Sequence, residues 1–169
     1  NYSCNTGPSV LVGSNAAEFG QGFNSVAIGQ SAGNNYQGTN SVAIGFEAGF
    51  TTQGSFSIAI GSSAGRYIQR SQSIAIGQDA GNQDQGELSV AMGFRAGYIS
   101  QNSNCIAIGQ SAGVYQQRQG SVGIGDSAGG YDQGDNGVAI GFKTGLYSQG
   151  TGAVAIGMSA GNATQGQYS

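Results

Sequence analysis

From Ser9 to Tyr168 the apolar and polar positions recur every 16 residues, ten times and without an insertion. Each repeat opens on a stretch such as "SVAIG" (25–29), in which the second residue is always Val or Ile. The fourth is Ile except at Val12 and Met92, and the fifth is always Gly. The eighth is Ala except at Thr144, and the ninth Gly except at Ala17. A fixed period of this length predicts a solenoid in which each repeat is one coil. Small and large residues alternate with period two, the signature of a strand. Bulk then points into the coil, so Val26 and Ile28 are expected inside and Ser25, Ala27 and Gly29 outside. A sixteen-residue circuit cannot enclose a helix, and two short strands joined by two turns fit it. The expectation is an all-β chain: a parallel β-solenoid (β-roll) of ten coils over residues 9–169. Residues 1–8 form an N-terminal leader, the segment available to cap the first coil.

The thirteenth position is stricter than the aliphatic ones: it is Gln in all ten repeats. These are Gln21, Gln37, Gln53, Gln69, Gln85, Gln101, Gln117, Gln133, Gln149 and Gln165. A surface Gln has no reason to be invariant within one chain. An inward one must satisfy both its carbonyl and its amide hydrogens, which stacked amides do for one another and for turn backbone. A core glutamine ladder is therefore expected. Gly or Asn follows in eight coils, which predicts a left-handed residue there, with Arg70 and Arg118 as exceptions.

The recurring "SVAIG" (25–29, 41–45), with "SIAIG", "CIAIG" and "AVAIG" elsewhere, resembles the head repeats of trimeric autotransporter (YadA-like) adhesins. The resemblance runs through all ten coils. It implies a left-handed parallel β-roll on an extracellular surface, often trimeric. The chain departs from that family in its slightly longer repeat, its strict "QG" pair, and the lack of a heptad stalk or membrane anchor within these residues.

Charge and composition narrow the function. The net charge is −3, with five cations spread thinly and no basic stripe of the kind nucleic acid requires. No apolar run reaches the length of a membrane span. There is no His, and neither a catalytic constellation nor a cofactor motif stands out among 33 glycines. Asp126, Asp132 and Asp135 share one coil, but "GGYDQGDN" is not a calcium-roll nonapeptide; a solvated turn is the simpler reading. Across coils, Arg70 is expected beside Glu87, and Arg118 beside Asp135.

A longer period of 48 residues relates "GFEAGF" (45–50), "GFRAGY" (93–98) and "GFKTGL" (141–146). It predicts an outward apolar bump every third coil, made by Phe46 with Phe50, Phe94 with Tyr98, and Phe142 with Leu146, a candidate self-association stripe. Tyr115, Tyr131 and Tyr147 should form a separate three-coil stack. A flat outer face of Ser and Ala would pack against another sheet or, as a lesser alternative, order water as ice-binding solenoids do. Cys105 replaces the opening Ser and is expected on that outer face. It lies too far along the axis for an intramolecular bond to Cys4, which leaves free thiols or a disulfide between Cys4 of one copy and Cys105 of another. Together these features predict a non-enzymatic extracellular structural protein that partners with itself as an oligomer or filament. A trimeric adhesin head with a glycan or protein ligand is the alternative, and an ice binder the second.

Overall fold

The computed structural model describes residues 7–169, and Cys4 lies outside them. Ten three-residue strands, from Val10–Val12 to Val154–Ile156, form one parallel sheet in strict coil order. Nine more, from Phe19–Gln21 to Tyr147–Gln149, form a second, which the tenth coil extends by a single bridge from Gln149 to Gln165. Register is the sequence period made physical: Val26 pairs with Val42, Ala27 with Ala43 and Ile28 with Ile44, each 16 residues on. Like therefore stacks on like, which is why a row of the alignment becomes a row on the solid. Among the described residues there is no helix. The solenoid expected from the period is the fold observed.

The phase of the strands is the reverse of the one expected. Ala27, Ala43, Ala59, Ala75, Ala91 and Ala107 are fully buried, as are Ser41, Ser57, Ser73 and Ser89. Val26 and Ile28, with their counterparts in every coil, face outward, half-covered by the next coil's copy or exposed. The reason is space. The eighth-position alanines fill the facing wall of the coil, and the glutamines occupy what remains between the two sheets. Two aliphatic side chains per coil do not fit there.

The glutamines from Gln21 to Gln149 are inside, with Gln165 in the last coil only half-buried, and all but Gln21 brace their coil. Gln37, Gln53, Gln69, Gln85, Gln101, Gln117, Gln133 and Gln149 each donate an amide hydrogen across their own coil to the carbonyl of the second-position residue, at 2.7–2.9 Å. Along the axis, Gln53 also donates to Gln69, Gln101 to Gln117, Gln117 to Gln133 and Gln149 to Gln165. The ninth-position glycine exists to let this side chain pass: a Cβ at Gly33 would stand 2.8 Å from the Gln37 Oε1. The opening serines close the same interior, Ser41 donating to the Gly38 carbonyl at 2.6 Å and Ser73 to that of Arg70 at 2.6 Å.

The second sheet contains a kink that its sequence does not announce. In a regular strand residues 115 and 117 would share a face. Here Tyr115 is outward and Gln117 fully buried, because Gln116 between them is left-handed at φ 48°. The same twelfth position is left-handed at Tyr36, Thr52, Ile68, Asp84, Ser100, Asp132 and Ser148. Ile68 and Thr52 are β-branched and adopt it against their preference.

The residue after each glutamine is not left-handed, contrary to expectation. The left-handed turn residue is the sixteenth, as at Asn40 (φ 54°), Asn104 (φ 61°) and Leu88 (φ 57°). Glycine is favoured after Gln by crowding, since a Cβ on Gly38 would lie 2.5 Å from the Gly54 carbonyl carbon. Where a side chain is present the stack gives way slightly. The N–H to carbonyl distance to the next coil is 2.7 Å at Gly38 and Gly54 but 3.0 Å at Arg70 and Arg118.

Replacing Gln101 by Leu removes the brace to the Val90 carbonyl, which keeps its place in the backbone ladder, and strands the buried Gln117 Oε1 without its donor. It should cost about 1–3 kcal/mol, from one stranded polar group and imperfect packing. Chemical denaturation of this variant checks it, and a loss below about 0.5 kcal/mol would mean that the brace is dispensable.

Candidate interaction surfaces

Because the bulk points outward, the first sheet presents two parallel aliphatic ladders to its surroundings. One runs from Val10 through Ile58 and Ile106 to Val154, the other from Val12 through Ile60 and Ile108 to Ile156; neither row contains a charge. At ~4.8 Å per coil the face is roughly 43 Å long and about 10 Å wide. The flat Ser/Ala array on which an ice-binding reading rested is inside the coil instead.

Phe46, Phe94 and Phe142 are outward and exposed at 47%, 44% and 46%. Phe50, Tyr98 and Leu146 are half-buried, and Ala48, Ala96 and Thr144 between them are inside. Cations lie over these rings. The Arg66 guanidinium is 4.7 Å from the Tyr67 centroid and 5.9 Å from that of Phe50, and Arg95 is 5.5 Å from Phe94 and 5.1 Å from Tyr98. The Lys143 ammonium is 5.1 Å from Phe142. The bumps are thus amphipathic, which the apolar spacing alone did not reveal.

On the second sheet Tyr115, Tyr131 and Tyr147 stack as expected, with centroids 5.1 and 5.4 Å apart and planes within 16°. The ion pairs differ from expectation. Arg70 binds Asp84 and Arg118 binds Asp132, each at 3.2 Å, instead of Glu87 and Asp135. The left-handed twelfth position swings these aspartates toward the arginine of the neighbouring coil. Arg66 pairs with Glu47 at 2.7 Å. The three aspartates of the "GGYDQGDN" coil go to separate partners: Asp126 accepts from the Ser127 hydroxyl, Asp132 pairs with Arg118, and Asp135 accepts from the backbone N–H of Gln119. No group of three metal-ligating side chains comes together among the described residues.

Cys105 is fully buried, which corrects its expected outward position. It occupies the inward row of opening serines, and its thiol is 2.8 Å from the Arg118 carbonyl and 3.5 Å from the Ser121 hydroxyl. A bond to Cys4 of another copy would require this coil to open. Burial raises its pKa, an effect that Asp135 adds to and that hydrogen bonds from Ser121 and Gly120 partly offset.

The YadA head domain repeat matches the chain in two copies over residues 37–49, the stretch from one ladder glutamine to the glycine before the next. No curated protein matches the chain, and no solved structure does. The resemblance seen in the "SVAIG" repeats is to that adhesin head repeat.

Because folding holds the Cys105 thiol protonated, the unfolded chain ionises first as pH rises through the ordinary thiol range, and the fold loses stability there. Cys105→Ser restores the hydroxyl found at this position in Ser89 and Ser121. It should flatten that part of the stability–pH curve and leave neutral-pH stability within about 1 kcal/mol. Denaturant melts at pH 7 and pH 10 measure both; equal alkaline slopes in the two proteins would contradict the buried thiol.

Proposed function

We propose that this chain is a non-enzymatic, adhesin-like head of an extracellular surface protein, assembled from copies packed through their aliphatic faces. The observation that carries the reading is the outward direction of the Val and Ile ladders on a coil whose interior is already full. A second copy is the fitting occupant, because it presents the same two ladders at the same coil spacing. Twenty side chains make up the face. Burying their exposed remainder at about 0.5–1 kcal/mol each yields roughly 10–20 kcal/mol per face. A trimer closes three faces in two association steps, each costing about 4–15 kcal/mol, so assembly wins. The adhesin resemblance favours this closed trimer over an open filament. Phe46, Phe94 and Phe142 lie two residues beyond Ile44, Met92 and Ile140 and would flank the contact, limiting axial slippage to three-coil steps.

Sedimentation equilibrium tests this directly. The wild-type chain should be trimeric at micromolar concentration, and Ile60→Lys with Ile76→Lys should yield a monomer that keeps its β circular dichroism. A wild-type monomer, or a lysine variant of unchanged mass, would overturn the reading; filaments would retain the face but replace the closed trimer.

A further inference from the structure

Two of the five cations, Arg95 and Lys143, have no carboxylate partner among the described residues, whereas Arg66, Arg70 and Arg118 are paired. Both line one surface cavity of about 310 Å³, together with all three stacked tyrosines. In a chain of net charge −3 this is a local inversion of sign. The aromatic rings beneath Arg95 and Lys143 hold them in place without neutralising them. Arg95, Ser111, Ser127 and Lys143 occupy one row of the solenoid, all left-handed at φ 51–57°, and so project alike from four successive coils. The cations therefore stand roughly 14 Å apart with two serine hydroxyls between them. The floor is apolar: Val114 and Gly130 are buried, and Leu146 leans over Gly130. Tyr115, Tyr131 and Tyr147 form the opposite wall and are 39–53% exposed, and no carboxylate lines the cavity.

We infer that this groove is a binding site for an acidic oligosaccharide, a segment of about four sugar units bearing sulfate or carboxylate groups. A pyranose chain advances by about one ring per coil of the solenoid (~4.8 Å), so a segment lying along the axis matches hydroxyl to coil throughout. Arg95 and Lys143 take its anionic groups at either end through charge-assisted hydrogen bonds. The Ser111 hydroxyl and the tyrosine edges meet sugar hydroxyls, and the apolar floor meets ring C–H faces. Ser127 already donates to Asp126, and Asp79 stands in the same row one coil before Arg95; both carboxylates weaken the site's positive field. The site needs only one copy of the chain and stands independently of the assembled state.

Isothermal titration with a heparin-derived tetrasaccharide, a tetragalacturonate and neutral cellotetraose tests the inference. It is run on wild-type protein and on the Ile60→Lys, Ile76→Lys variant, so that loss of assembly and loss of binding are read separately. At least one acidic tetrasaccharide should bind both proteins with sub-millimolar affinity that falls as salt is raised, and cellotetraose should not. Arg95→Gln with Lys143→Gln should weaken binding about tenfold or more, Asp126→Asn should strengthen it, and the equally charge-depleting Arg70→Gln with Arg118→Gln should leave it unchanged. No binding of either acidic probe at millimolar concentration would overturn the site. So would equal weakening by the two double variants, which would mean general charge attraction only.

Discussion

Everything in this molecule follows from how little room a sixteen-residue coil has inside. Its two sheets are close enough that an amide on one reaches a strand carbonyl on the other, as Gln69 reaches Ile58 at 2.8 Å. Once that side chain is in place the remaining interior accommodates methyl groups, hydroxyls and one thiol. Glycine at the ninth position, alanine at the third and eighth, and serine at the first are consequences of the glutamine. Alanine burial stabilises far less than the ~1.5–3 kcal/mol of a buried Val or Ile. The coil is held instead by parallel backbone ladders and by the repeated polar brace.

The same restriction moves the large aliphatic residues outside, where stacking along the axis covers only part of each. A soluble monomer gains nothing from such ladders. An assembly gains a dry contact whose periodicity is built into the chain, and the adhesin head repeat matched at residues 37–49 is consistent with that use. On the proposed function the two sheets divide the work. The first offers a uniform, uncharged face suited to its own copies. The second varies from coil to coil, from Asn35 and Thr51 to the tyrosine stack, and variation is what a ligand can read.

Architecture was legible in the sequence because period, strand alternation and the invariant glutamine are local properties repeated ten times. The direction of the strand was not. Alternation shows that Val26 and Ala27 face opposite ways, but only the coil's internal width decides which is inside, and that width depends on Gln37 eleven residues after Val26. The error then carried over to Cys105 and to the supposed Ser/Ala face. The pairing of Arg70 with Asp84 was hidden for a different reason. It follows from a left-handed residue in mid-strand, at a position occupied by Tyr36, Ile68 and Asp84 alike, so that no residue type marks it. The tyrosine stack was legible because parallel register places identical rows in contact.

The central claim, a glutamine-braced interior of small residues with the aliphatic bulk outside, is tested most directly by thiol labelling at two adjacent positions. In a chain lacking Cys4 and Cys105, and made monomeric by Ile44→Lys and Ile108→Lys, Ala75→Cys and Ile76→Cys are compared under native conditions. The thiol at position 76 should react readily with a maleimide in the folded protein, and the thiol at 75 only after denaturation. The opposite order of reactivity would put the aliphatic ladders back inside and contradict the account.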